Sequence, residues 1–228
     1  MQPLPATPAP EVSPATTLLV VRHAEVELSY QGLFGGRVDM NLSPRGRDQA
    51  AMLAKYLHSK PLAAIYASPM KRVQQTLAPV LQNGAPRPVI LPDLREVDFG
   101  DWTGHTWVEV QAKFGVTAPS WLDQLACGGI ANAECGEEFR ERVQPCLEQI
   151  LTAHPGQPVA IFCHGGVIRM LLSLLLRWPL PSMARFEVEY ASITQVSYTP
   201  RKTRLQLLNF TPWRDLHPSK KSCSGELP

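Results

Sequence analysis

No stretch of this sequence stays apolar long enough to cross a bilayer. The longest such run, residues 167–176, is interrupted by Arg169 and Ser173, whereas a spanning helix needs about 20 apolar residues. The N-terminus lacks a basic segment followed by an apolar core, so no secretory signal is expected there. Cysteine is sparse and ill-spaced. Cys127, Cys135, Cys146, Cys163 and Cys223 are odd in number and include no Cys-x-x-Cys pair. That argues against a disulfide framework and against a bound metal, and it fits buried thiols in a reducing cytoplasm. An excess of one charge is also missing. The formal net charge is +2, from 22 basic and 20 acidic residues, which leaves no footprint of nucleic-acid binding. No internal repeat is visible.

What is present is enough aliphatic side chain for a substantial core, and 228 residues fit one large domain. Residues 1–15 hold five prolines and little apolar bulk, which reads as a disordered tail. Residues 16–212 read as a single domain in which the weakly periodic stretch 105–135 forms a helical cap. Residues 213–228 are polar and read as a flexible C-terminal tail.

Strand and helix patterns alternate through the first two-thirds of that domain. Residues 17–22 form a short apolar run ending on a β-branched pair, the pattern of a buried parallel strand. A long glycine-bearing loop, 24–42, follows, and loops of that length in compact domains usually carry function. Ser43-Pro44 is a cap-plus-proline helix start, with Ala50, Leu53, Ala54 and Leu57 as the apolar stripe to residue 58. Residues 62–67 read as a strand. Ser68-Pro69 repeats the capping device for a helix over 69–82 that carries Arg72 and Thr76 on adjacent turns. A short strand at 89–91 leads into an acidic loop, 93–104. A helix is expected over 136–153, kinked or broken at Pro145. A strand at 159–163 runs into His164-Gly165-Gly166 and an apolar helix to residue 177. Strands are expected at 186–190, 193–198 and 205–210, the last two as a hairpin. This alternation predicts an α/β fold, three layers α/β/α around a mostly parallel sheet.

Two of these strands end in histidine, at Arg22-His23-Ala24 and at Cys163-His164-Gly165-Gly166. In one parallel sheet both imidazoles emerge on the same carboxyl-end rim, where open α/β sheets bind ligands. A third strand end leads to Arg72 near a helix N-terminus, which itself favours anions. Two guanidiniums, two imidazoles and glycine amides on one rim describe a dianion pocket suited to phosphoryl transfer. A neutral imidazole attacks phosphorus, the arginines hold the oxygens, and a nearby acid protonates the leaving group. Glu96, in a loop after a strand, is the natural proton donor. Its other reading is a surface carboxylate paired with Arg95.

Four blocks, Arg22-His-Ala-Glu25, Ser68-Pro-Met-Lys-Arg72-Val-Gln-Gln-Thr76, Leu94-Arg-Glu96-Val-Asp-Phe-Gly-Asp-Trp-Thr-Gly104 and His164-Gly-Gly, resemble the histidine phosphatase superfamily, the phosphoglycerate-mutase-like fold, in that family's order. The resemblance implies that His23 is a nucleophile forming a phosphohistidine and that Glu96 is the acid. Arg22, Arg72 and His164 would complete the phosphate pocket, with Gly165 offering a backbone amide. Gly35 and Gly36 match the family's substrate loop. Two positions depart from the family pattern. Ala24 replaces a usual glycine, which suits a negative φ, and Ser29 stands where an asparagine is common, so Ser29 is carried into the pocket as a shorter hydrogen-bonding side chain.

Within the superfamily, the short segment between Glu96 and His164 resembles the phosphatase branch rather than the mutases. The chain is similar to α-ribazole-phosphate phosphatases and broad-specificity small-molecule phosphatases. The expectation is a metal- and cofactor-independent cytoplasmic phosphomonoesterase acting on a small phosphorylated metabolite, with neither nucleic acid nor membrane as partner. The alternatives are a cofactor-dependent phosphoglycerate mutase and a non-catalytic phosphate-ligand binding protein on the same fold. The oligomeric state is left open, a homodimer being one reading. Trp102, Trp107 and Trp121 read first as packing and second as a cleft wall, and Cys163 as a buried structural thiol.

Overall fold

The computed structural model describes residues 14–82 and 84–216. Most of both expected tails, and Cys223, lie outside the described residues. The elements are β1 (Thr16–Arg22), α1 (Pro44–His58), β2 (Ala64–Ala67), α2 (Lys71–Leu81), β3 (Val89–Ile90), α3 (Trp107–Phe114), α4 (Trp121–Ala126), α5 (Gly136–Ala153), β4 (Pro158–Cys163), α6 (Gly165–Leu176), β5 (Ile193–Thr199), β6 (Lys202–Phe210) and α7 (Pro212–Asp215).

One six-stranded sheet runs in the order β3-β2-β4-β1-β5-β6. The first four strands are parallel, and the β5–β6 hairpin adds antiparallel to β1. Alternate residues of β1 face opposite ways, as the pleat requires. Leu18 and Val20 enter a core shared with α5, α6 and the 105–135 stretch. Leu19 and Val21 enter a second core shared with α1 and α2. Those are the two outer layers of the expected sandwich. All four are at most 4% exposed, and each such burial contributes about 1.5–3 kcal/mol.

Register decides where the chemistry goes. Arg22 pairs with Cys163 across β1 and β4, so His23 and His164 leave neighbouring strands at the same level. On the other side of β4, Ala67 pairs with Phe162, which brings Ser68 to the same rim.

The structure corrects four expectations. Residues 186–190 form no strand. Phe186 and Val188 do have the predicted alternation, but their carbonyls accept hydrogen bonds from the side chains of Arg169 and Arg22 rather than from a neighbouring strand. Pro145 does not interrupt α5. It lies on the exposed face, while Phe139, Val143, Cys146, Leu147 and Ile150 hold the helix from the buried side. Helix α2 begins at Lys71 without a Ser68 cap; Asp39 Oδ1 instead accepts the Lys71 N–H at 3.0 Å. The 105–135 stretch, expected as a helical cap, contains α3 and α4, and its Val110, Leu122, Leu125 and Ile130 are buried in the same cluster as Leu18 and Phe139. Beyond the hairpin, α7 is held by Trp213 Nε1 donating to the Tyr190 carbonyl at 2.9 Å, so the chain stays ordered a few residues past 212.

Helix α1 starts where the sequence placed it. Ser43 Oγ accepts the Gly46 N–H at 2.9 Å and donates to Glu25 Oε1 at 2.7 Å, fastening the helix to the loop after β1. Replacing Ser43 with Ala removes a cap and takes the hydroxyl from Glu25 Oε1, leaving that carboxylate only its Arg45 partner, so stability should fall by about 1–2 kcal/mol. Urea denaturation measures this, and an unchanged midpoint would show that the cap does not carry the junction.

Candidate active site

The rim at the carboxyl ends of β1 and β4 opens into a cavity of roughly 200 Å³. Arg22, His23, Arg72, Glu96, Gly165, Gly35 and Gly36 all line it. His164 lies just behind, fully buried, with its ring centroid 5.3 Å from that of His23. Of the residues expected in the pocket, Ser29 alone is not brought there. It is exposed in the 3-10 turn Leu28–Tyr30, and the half-buried Tyr30 next to it lines the cavity instead. Its position in the loop matched, but the turn points Ser29 to solvent.

Hydrogen bonds fix the tautomer of each ring. His23 Nδ1 lies 2.8 Å from the Ala24 carbonyl oxygen. A carbonyl only accepts, so Nδ1 carries the proton and Nε2 keeps its lone pair. The Arg72 Nε–H is then shared between His23 Nε2 and His164 Nδ1, at 3.2 Å from each. His164 therefore carries its proton on Nε2 and donates it to Ser68 Oγ at 2.8 Å. Ala24 is absent from the residues with positive φ. The alanine therefore costs no backbone strain at the position where the family carries glycine.

Arg72 is 2% exposed. Its Nη1 donates to the Val38 carbonyl at 2.8 Å and its Nη2 to the Gly36 carbonyl at 2.9 Å. Gly36 turns that carbonyl inward with a φ of 46°, and a Cβ there would lie 3.0 Å from the Val97 carbonyl oxygen. Burial lowers the Arg72 pKa to about 10, which still leaves it charged at neutral pH. Arg22 donates to the Val188 carbonyl and stacks 4.1 Å over the centre of the Tyr190 ring. Its Nε is buried and has no partner. An orphaned charged donor on a cavity wall is costly unless an anion takes it. Gly165 puts no side chain against it, where a Cβ would sit 3.6 Å from that Nε.

Glu96 is not a surface carboxylate paired with Arg95, whose Nε donates to the Pro92 carbonyl. Its Oε2 accepts the Gly166 N–H at 3.1 Å and its Oε1 the Val97 N–H at 3.0 Å. A Cβ on Gly166 would come within 2.5 Å of Oε1. The second glycine of the His-Gly-Gly motif is thus what leaves room for the Glu96 carboxyl group beside the N-terminus of α6.

Several residues of the site were not found from the sequence. Arg169, one turn into α6, donates to the carbonyls of Gly165, Met183 and Phe186; its only trace was the break it makes in the apolar run. Ser68 read as a helix cap and is in fact the partner of His164. Tyr190, Phe34 and Phe99 carried no signal beyond apolar periodicity. Among the tryptophans, Trp102 is core, Trp107 is packed against it and Trp121 lines the cavity. Among the described residues, no group of three or more His, Cys, Asp or Glu is placed to hold a metal ion, and no helix is long and apolar enough to cross a membrane.

Comparison with known proteins points the same way. Residues 18–211 match the family model described as the histidine phosphatase superfamily, branch 1. A Hydrogenobacter thermophilus protein that carries phosphoserine phosphatase in its name is 32% identical over 193 residues, covering 84% of this chain and 94% of its own. The crystal structure of the α-ribazole phosphatase from Shigella flexneri is 26% identical with a TM-score of 0.74, covering 86% of this chain and 96% of that one. A mycobacterial glucosyl-3-phosphoglycerate phosphatase is 25% identical with a TM-score of 0.75, covering 86% and 99%.

Burial first, and then the charges of Arg72 and Arg22, hold the pKa of both imidazoles well below the ordinary value near 6.5. In the unfolded chain each ring takes a proton near pH 6.5, whereas in the fold it resists until lower pH. The stability these neutral rings bring is complete above that pH and drains as pH falls below it, by about 1.4 kcal/mol per ring per unit. Urea unfolding at pH 7.5 and 5.5 should show this drop, and His164→Asn should shrink it. An equal drop in the variant would reject the buried ring as its source.

Proposed function

The chain belongs to the histidine phosphatase superfamily and is a phosphatase, and from that premise we propose that it is a metal-independent phosphomonoesterase working through a phosphohistidine on His23. The observation that carries this reading is the tautomer of His23. A neutral ring with its Nδ1 proton committed to a carbonyl leaves an unprotonated Nε2 at the cavity, as a nucleophile requires. Only its half of the shared Arg72 Nε–H holds that nitrogen, and substrate displaces it when Nε2 attacks.

The phosphoryl oxygens take the unpartnered Arg22 Nε–H, the Arg72 guanidinium and the Gly165 amide, while His164, bonded to Ser68 and Arg72, holds Arg72 in place behind them. His23 Nε2 attacks phosphorus as the ester P–O bond breaks, and Glu96 gives its proton to the departing alcohol oxygen. Glu96, now a carboxylate, takes a proton from water as that water attacks phosphorus. The P–N bond breaks and orthophosphate leaves, with His23 neutral again. The guanidiniums supply the positive charge that a metal supplies in other phosphatases. The substrate is a small phosphorylated metabolite, in keeping with the size of the cavity and with Tyr30, Phe34 and Trp121 along its wall. The relatives act, by their names, on phosphoserine, α-ribazole phosphate and glucosyl-3-phosphoglycerate, which makes these three esters the first to try. The unpaired cysteines among the described residues support a reducing, cytoplasmic setting.

Hydrolysis of p-nitrophenyl phosphate should survive excess EDTA, and a metal requirement would overturn the charge assignment. His23→Ala should abolish both turnover and the trapped phosphoenzyme. Glu96→Gln should slow alkyl phosphates by about 10²–10⁴-fold and nitrophenyl phosphate far less, because an already acidic leaving group needs little protonation. Given 3-phosphoglycerate and a trace of the bisphosphate, phosphate release should outrun isomerisation. The reverse result would assign the chain to the mutases.

A further inference from the structure

Arg142, on the second turn of α5, lines no part of the cavity, yet it is the most heavily bonded side chain near Glu96. Its Nη1 donates to the carbonyls of Asp93 and Arg95 at 2.6 and 2.7 Å. Its Nη2 donates to the Glu96 carbonyl at 3.2 Å and to Glu134 Oε1 at 2.6 Å, and its Nε to Glu134 Oε2 at 2.7 Å. Three carbonyls within four residues of one loop therefore converge on a single planar fork, whose other edge is closed by a bidentate carboxylate. The pair is largely withdrawn from water, with side chains 14% and 8% exposed, and the guanidinium lies 4.7 Å from the centre of the Phe139 ring.

Glu134 carries the connection onward. Its Oε1 also accepts the Asp98 N–H at 2.8 Å, and Arg37 approaches both Glu134, at 3.6 Å, and Asp98, at 3.3 Å. Arg37 stands between Gly36 and Val38, whose carbonyls hold Arg72. The same network thus touches the backbone of the Glu96 loop and the backbone that seats Arg72.

We propose that Arg142 is a positioning residue for proton transfer, and that the Arg142–Glu134 pair fixes Glu96 relative to the phosphate seat. This rests on Glu96 being the acid. The loop gains little order from its own backbone, since it runs between the 3-10 turns Pro92–Leu94 and Gly100–Trp102, and its carbonyls turn to the guanidinium instead. Lysine keeps the charge but has no fork, so it can serve the carboxylate or a carbonyl and not the whole set.

The test compares an alkyl phosphate with p-nitrophenyl phosphate in the wild-type protein, Arg142→Lys, Glu96→Gln and the double variant. Arg142→Lys should slow the alkyl ester by about tenfold or more and the nitrophenyl ester by less than about threefold, since misplacing a proton donor hurts only the step that needs it. In the Glu96→Gln background the lysine should add no further loss. Parallel slowing of both esters by Arg142→Lys, or full additivity in the double variant, would overturn the proposal. If Glu96→Gln slows both esters equally, the acid assignment itself fails, which separates the two outcomes. Should Arg142→Lys not fold, judged by circular dichroism and gel filtration, Glu134→Gln reads out the same split from the other side of the pair: selective slowing of the alkyl ester supports the proposal, and equal slowing rejects it.

Discussion

The whole site depends on one hydrogen atom shared two ways. The Arg72 Nε–H lies between His23 Nε2 and His164 Nδ1, and each ring is thereby told which of its nitrogens carries a proton. A cation this deep is tolerable only because two loop carbonyls accept from its other edge. It in turn helps to keep two adjacent imidazoles neutral, which their burial already favours. Remove that guanidinium and each ring keeps one anchor, the Ala24 carbonyl or Ser68 Oγ, but loses the other, and the loop around Gly36 loses the cation its carbonyls hold.

A pattern common to four arginines emerges from the same accounting. Arg22, Arg72, Arg142 and Arg169 each give N–H groups to main-chain carbonyls in loops and short 3-10 turns, outside the α-helices and strands. Irregular backbone must find partners for its polar groups, and here guanidiniums supply them. Only Arg142 is also closed by a carboxylate at hydrogen-bonding distance. The loops that bear the chemistry are therefore shaped by cations, and the cations that meet the cavity are aimed by the loops.

Much of this was legible in the chain. The two histidines ending two apolar strands announced the rim, and the register of Arg22 against Cys163 made good on it. Gly166 was visible as half of a Gly-Gly step, although its use, admitting the Glu96 carboxylate, needed coordinates. What could not be read were side chains whose role lies in long-range pairing. Ser68 has the local look of a helix cap, and nothing nearby in sequence announces His164. The 186–190 segment has strand periodicity, and only the arginines that claim its carbonyls explain why it pairs with no strand. Ser29 failed for the opposite reason: its place in the loop matched, but a single 3-10 turn faces it outward.

The thiol of Cys163 sits one residue before the second histidine, fully buried, with its pKa pushed up by burial and then by the Glu96 charge. Thiolate character is what makes a cysteine vulnerable to peroxide and electrophiles, and this sulfur has almost none. Phosphatases built on an activated cysteine can be silenced by oxidants. The sulfur next to His164 is thus kept as an inert thiol, and an oxidant reaching the rim of this sheet finds no thiolate there to attack.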